Sequence, residues 1–211
     1  MCCRYWMEES PELRPFVERM NQSPLADKMR DRLARPLTAA GEVRPTDIVP
    51  VVAPDRHFSP SVYPMLWGFT NPRSGRPLVN CRVETASEKT LWQEAWRKHR
   101  CVIPISWYYE WEHLPDPQTG KVKTGQKYMI HPKGCTVSCL AGLYRIEEKN
   151  GLHFPVFTVL TREASDQVRF IHDRMPVILD RDMVRNWLNP ENKPEDMVKQ
   201  ALSEMVFEKA G

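Results

Sequence analysis

The chain opens Met1-Cys2-Cys3-Arg4. Removal of Met1 would leave Cys2 with a free α-amine and a thiol on adjacent carbons. Reference pKa values of about 7.7–8.0 and about 8.5 make each group partly nucleophilic near neutral pH. Such a 1,2-aminothiol captures an aldehyde in two steps. The amine condenses to an imine and releases water, then the sulfur adds to the imine carbon and closes a thiazolidine ring. An internal cysteine cannot do this. Any residue can follow a start codon, however, so this chemistry needs a proton donor and a substrate grip from elsewhere in the chain.

Two residues have the type to move protons. Trp107-Tyr108-Tyr109-Glu110-Trp111 sets a carboxylate among four aromatics. Burial there would raise its pKa and suit it to general acid and base work, although a glutamate at a strand end reaching water fits the pentapeptide equally well. His172 precedes Asp173 and Arg174 at a strand entry, where loops carry function, yet a lone histidine is more often structural. If Asn80-Cys81-Arg82-Val83-Glu84-Thr85 is extended, Asn80, Arg82 and Glu84 share one face. The six cysteines, Cys2, Cys3, Cys81, Cys101, Cys135 and Cys139, lack a disulfide-scaffold spacing and read as reduced thiols. Cys135 and Cys139 read as core, and neither a metal nor another cofactor is expected. Acylation of the Cys2-Cys3 pair has no supporting polybasic tract.

The elements that must position these residues read as one α+β domain over 1–211, a largely antiparallel, barrel-like β core with flanking helices. Apolar residues make up 41% and charged residues 27%, enough for a real core. A basic helical segment over 11–35, split by Pro15 and Pro24, carries Leu25, Met29 and Leu33 at helical spacing among arginines. Gly41 to Pro45 reads as a loop, Asp47 to Ala53 as a strand that Pro50 places at an edge, and Val62 to Gly68 as another. Ser87 reads as the cap of a helix to about His99. Arg100 to Trp111, Gln126 to Pro132, Thr136 to Tyr144, Phe154 to Thr161 and Val177 to Leu179 read as strands, with Asn150-Gly151 a hairpin turn. Ala164 to Phe170 reads as a helical turn or short helix, and two helices, Arg181 to Leu188 and Pro194 to Phe207, close the chain. Net charge is +3, and Arg14, Arg19, Lys28, Arg30, Arg32, Arg35 and Arg44 give the N-terminal fifth a basic bias that reads as a solvated face. No apolar run reaches membrane-span length and no signal peptide is visible, so an intracellular monomer with no membrane association is expected.

Taken in order, Cys2, Arg4, Trp67-Gly68, Asn80-x-Arg82-x-Glu84-Thr85, Trp107-x-x-Glu110-Trp111, Leu143 and Ile171-His172-Asp173-Arg174-Met175-Pro176 resemble the SOS response-associated peptidase family, the abasic-site processing proteins. The resemblance runs from residue 2 to about residue 188 and implies single-stranded DNA containing abasic sites as partner. It implies Cys2 as the nucleophile forming a thiazolidine with the abasic aldehyde, Asn80 holding the N-terminus and sugar, and Glu110 handling protons. His172 would assist sugar ring opening or adduct reversal. Arg4, Arg82 and Arg174, with Trp67 and Thr161, would contact the DNA, and Met1 would be removed by the protein itself or by an aminopeptidase. Three stretches depart from the pattern: Gly41-Glu42-Val43-Arg44-Pro45 inserts an acid where DNA would pass, Phe69-Thr70-Asn71-Pro72 stands where an aromatic wedge is usual, and the C-terminus lacks an Asn-rich strand. Two other readings remain: a cysteine peptidase using Cys2, His172 and Glu110, and a non-catalytic module for single-stranded nucleic acid.

Overall fold

A computed structural model describes residues 3–115 and 122–211. The chain begins with strand β1 (Arg4–Met7), followed by helices α1 (Arg14–Asn21) and α2 (Pro24–Leu33). Pro15 and Pro24 sit in the first turns of these helices, where the missing N–H costs nothing, so they start the helices as well as separating them. Next come β2 (Gly41–Val43), β3 (Ile48–Pro54), β4 (Pro60–Trp67) and a small ribbon of β5 (Phe69–Thr70) with β6 (Pro77–Leu78). Strand β7 (Asn80–Arg82) runs into a one-turn helix α3 (Val83–Ala86), then α4 (Thr90–Lys98).

The second half is built of long strands. They are β8 (Arg100–Ile105), β9 (Trp107–Pro115), β10 (Val122–Pro132), β11 (Ser138–Lys149) and β12 (Leu152–Glu163). Asn150 and Gly151 take φ of 54° and 71°, the left-handed pair that a tight hairpin turn between twisted strands requires. Short strands β13 (Arg174–Pro176) and β14 (Ile178–Leu179) precede a 3-10 turn and α5 (Val184–Leu188), α6 (Pro194–Lys199) and β15 (Met205–Ala210).

Strands β12, β4, β3, β8 and β11 pair in that order, and β11 pairs back to β12, closing a barrel of five strands. A separate antiparallel sheet, ordered β15-β10-β9-β1-β2, packs beside it. Along β3, Val49, Val51 and Ala53 join the core shared with Tyr5, Tyr108 and Ile130 of that sheet, while Ile48 and Val52 join a second core with Trp92, Trp96 and Trp187 of the helices. The same alternation recurs on β8, where Cys101, Ile103 and Ile105 face one core and Val102 the other. Both faces are buried, so these strands are apolar throughout instead of alternating. No helix of the described residues is long and apolar enough to cross a membrane.

The α+β class, the largely antiparallel barrel, in which only the β12–β4 pair is parallel, and the hairpin match the sequence reading. Five local expectations do not. Strand β7 stops at Arg82 and Glu84 falls in α3, so Asn80, Arg82 and Glu84 are not one extended row. Gly41–Val43 is a strand on β1, made possible by Gly41 at φ 90°. Strand β3 lies inside the barrel between β4 and β8, and its Pro50 is tolerated because β8 meets β3 at one register pair only, Val52 with Val102. Lys89, not Ser87, precedes α4 as its cap. The last predicted helix ends at Lys199, and Met205–Ala210 pairs with β10, where Val206 to Lys209 suit a solvated edge strand.

Candidate active site

Glu110 sits in mid β9, opposite Tyr128 of β10, with 4% of its surface exposed. One carboxylate oxygen accepts the backbone N–H of Trp111 at 3.2 Å. Burial pushes its pKa above the ordinary carboxylate value, and that hydrogen bond only partly opposes the rise. Strand β1 runs antiparallel to β9 with Arg4 opposite Tyr109, so Cys3, the residue before it, comes next to Glu110. The Cys3 thiol is raised first by burial and next by the nearby Glu110 charge. Cys2, the expected nucleophile, lies outside the described residues.

His172 follows a turn pinned to the same strand, because the His113 N–H of β9 donates to the Ile171 carbonyl at 3.0 Å. Its ring is 7% exposed and stands 4.0 Å, centroid to centroid, from that of His113. Burial, helped by His113 and opposed by Asp173, lowers its pKa to about 4, so the ring is neutral near pH 7. Nδ1 meets two rivals: the Arg174 N–H at 2.9 Å, which needs a lone pair there, and an Asp173 oxygen at 2.7 Å, which needs a proton. The amide is fixed by the backbone, while the Asp173 side chain is 78% exposed and can turn to water. The amide therefore decides the tautomer, with the proton on Nε2.

A second cluster adjoins this one. Arg174 is 8% exposed and grips Glu84 through both guanidinium nitrogens at 2.7 and 2.8 Å, and also donates to the Thr161 carbonyl at 2.8 Å. Strand β7 pairs in parallel with β12, bringing Asn80 opposite Val159 and exposed Arg82 opposite Thr161. Alternation gives Asn80 and Arg82 the same side of β7. The Arg174 amide on His172 joins the two clusters. Arg4 forms a third, its Nη1 2.7 Å from Glu42.

Two expected DNA contacts sit elsewhere. Trp67 is wholly buried, packs on Tyr5 and Phe157, and donates its indole N–H to the Val79 carbonyl at 3.0 Å. Thr161 is equally buried, its hydroxyl 3.4 Å from the Cys81 carbonyl. In this structure both support the site from the core and offer no surface to a ligand. Cys135 and Cys139 are half-buried, and among the described residues no group of three or more His, Cys, Asp or Glu side chains could hold a metal.

Nothing local in the sequence marks His113 as a site residue. Three positions separate Glu110 from His113, which strict alternation assigns to opposite faces. The β9–β10 register shifts between Thr124 and Lys127, an irregularity of the kind that re-aims side chains.

A five-stranded barrel with a second sheet packed beside it brings the buried Glu110 of that sheet and the buried His172 together near the N-terminal strand. The chain matches the family described as SOS response associated peptidase (SRAP) over residues 1–210 and belongs to it. It is 34% identical over 145 residues to the abasic site processing protein YoaM of Bacillus subtilis, covering 64% of this chain and 60% of that protein. It is 33% identical over 124 residues to the abasic site processing protein HMCES of Xenopus tropicalis, covering 52% of this chain and 37% of that one. The match thus spans about three fifths of the Bacillus relative and a smaller part of the animal one. A solved structure from Bacteroides thetaiotaomicron superposes with a TM-score of 0.75 at 19% identity, covering 100% of this chain and 92% of that one, and shares the fold.

Proposed function

We propose that the protein captures the ring-opened aldehyde of an abasic site in single-stranded DNA through Cys2, once Met1 has been removed by the protein itself or by an aminopeptidase. The Cys2 amine attacks the aldehyde carbon, the carbinolamine loses water to give an imine, and the Cys2 sulfur then adds to the imine carbon. One C–N and one C–S bond form, and the aldehyde oxygen leaves as water. Glu110, whose pKa burial raises above the ordinary carboxylate value, delivers the proton that turns the hydroxyl into water and takes one back from the thiol. His172, neutral and protonated on Nε2, assists opening of the sugar ring, and Asn80 orients the sugar. Arg82 and Arg174 hold flanking phosphates, with Glu84 as the partner that Arg174 exchanges for phosphate.

The observation that carries this reading is the raised carboxyl of Glu110 on the strand paired with β1, already felt by the Cys3 thiol. The family membership and the names of the relatives support it. A denaturing gel of the processed protein with a single-stranded oligonucleotide bearing one abasic site tests it. The wild type should give a heat-stable shifted band and Cys2→Ser none; a correctly processed wild type that gives no band would sink the proposal.

A further inference from the structure

Three cations converge on Glu42 of β2. Arg4 Nη1 donates to Oε1 at 2.7 Å and Arg44 Nε to the same oxygen at 2.9 Å, while Lys127 Nζ approaches Oε2 at 3.4 Å. Burial alone would raise the Glu42 pKa, but the hydrogen bonds from Arg44, Arg4 and Lys127 outweigh it and hold the carboxyl below its ordinary value. Glu42 is therefore ionised at neutral pH, one carboxylate shared by three cationic side chains. Two rings border the cluster: the Lys127 ammonium lies 3.8 Å over Tyr109 and 5.6 Å from Trp111, and the Arg4 guanidinium lies 5.8 Å from Trp111. Solvent reaches the cluster from the Arg44 side, that side chain being 61% exposed and Arg4 35%, while Glu42 and Lys127 are 18% and 22% exposed. It lies on the same sheet as the site but on its other face, since Arg4 is opposite Tyr109 and Lys127 opposite Trp111, the two neighbours of Glu110 on β9, whose side chains alternation turns away from that carboxyl.

We propose that this cluster is a seat for one phosphodiester of the bound strand, in which Glu42 is a place-holder that the phosphate displaces. A guanidinium fork fits a carboxylate and a phosphate alike, and an ammonium adds a point charge to either. Trp111, only half-buried, gives the neighbouring unpaired base a face to stack on, whereas Tyr109 is buried beneath Lys127. Arg44, Lys127 and Glu42 thereby extend the grip of Arg4 and set its strength, the carboxylate weakening binding to strands that make no covalent bond. The inference rests on the nucleic-acid reading above. It differs in sign from a purely architectural network, which would tie β1, β2 and β10 together and lose function when Glu42 is neutralised.

The test is fluorescence anisotropy of the full chain with a labelled single-stranded oligothymidylate lacking abasic sites, titrated with salt. Glu42→Gln should tighten binding about three- to tenfold at low salt and steepen the log–log salt slope by about 0.7 for each further phosphate neutralised. Lys127→Gln, which leaves the Arg4–Glu42 pair in place, should weaken binding. Glu204→Gln, a change of equal charge at a side chain 74% exposed, should leave affinity within about twofold. Glu42→Gln binding no tighter than wild type, an equal rise in affinity from Glu204→Gln, or unaltered binding by Lys127→Gln would each overturn the inference. Wild type that binds no strand at any salt would instead bring down the nucleic-acid reading itself.

Discussion

Two arginines with little exposure are held in opposite ways. Arg100, 1% exposed, donates to the carbonyls of Trp187, Trp96, Arg97, Asn192 and Asn189. Burial lowers its pKa to about 10, and no carboxylate bonds to it among the described residues. Arg174, 8% exposed, leans on Glu84, whose side chain is 46% exposed and can swing into water. A cation saturated by backbone carbonyls is locked to the α4–α5 region and cannot be recruited by a ligand. A cation held by a mobile carboxylate can exchange partners; Arg4 stands between the two, its partner Glu42 being 18% exposed and shared with Arg44 and Lys127.

Breaking the first pattern should have the largest effect. Arg100→Met would strand several buried carbonyls at about 1–3 kcal/mol each, so chemical denaturation should show a loss of at least about 3 kcal/mol. Arg174→Met should cost less stability and instead weaken strand binding.

Glu110→Gln sharpens the contrast between function and stability. It should slow crosslinking about a hundredfold or more in a gel time course, because no proton can be exchanged at that position. Its folded pKa lies above the unfolded value, so protonation favours folding and the penalty for ionisation grows as pH rises from about 4.5 through the folded pKa. Removing that penalty should leave the melting temperature at neutral pH equal to or above wild type.

His172 titrates in the opposite sense. Its pKa falls from about 6.5 to about 4 on folding, so the unfolded chain binds the extra proton across that window. Stability should decline as pH drops from about 6.5 to about 4, and His172→Gln should flatten that slope in melts run across the range. The smallest change is expected for His113→Phe, which keeps a ring against His172 but removes its nitrogens. Modest slowing of crosslinking with an unchanged melting temperature would mark His113 as a positioning group.

The same contrast explains what could be read from the sequence. Apolar strands, the Asn150-Gly151 turn and the aromatic frame of Glu110 are local signals, and each appears in the fold as expected. Trp67 reads as a surface contact because its motif is shared by the family, but an indole between Tyr5 and Phe157 is fixed by tertiary packing. Pairings such as Arg4 with Glu42, or His113 with His172, join residues distant along the chain. They follow from strand register, which a slip of one residue inverts, and no local spacing reports them. The C-terminal helix expected to Phe207 fails for the same reason: Met205–Ala210 is drawn into a strand by the open edge of β10.

The most direct measurement is the reductant dependence of the adduct formed with an abasic oligonucleotide by the processed protein. A thiazolidine is already closed, so wild type should give a heat-stable band of equal intensity with and without borohydride. Cys2→Ser keeps the amine and loses the sulfur, so its band should appear only when borohydride reduces the imine. A wild-type band that requires borohydride, or a Cys2→Ser band that does not, would contradict capture by the paired amine and thiol.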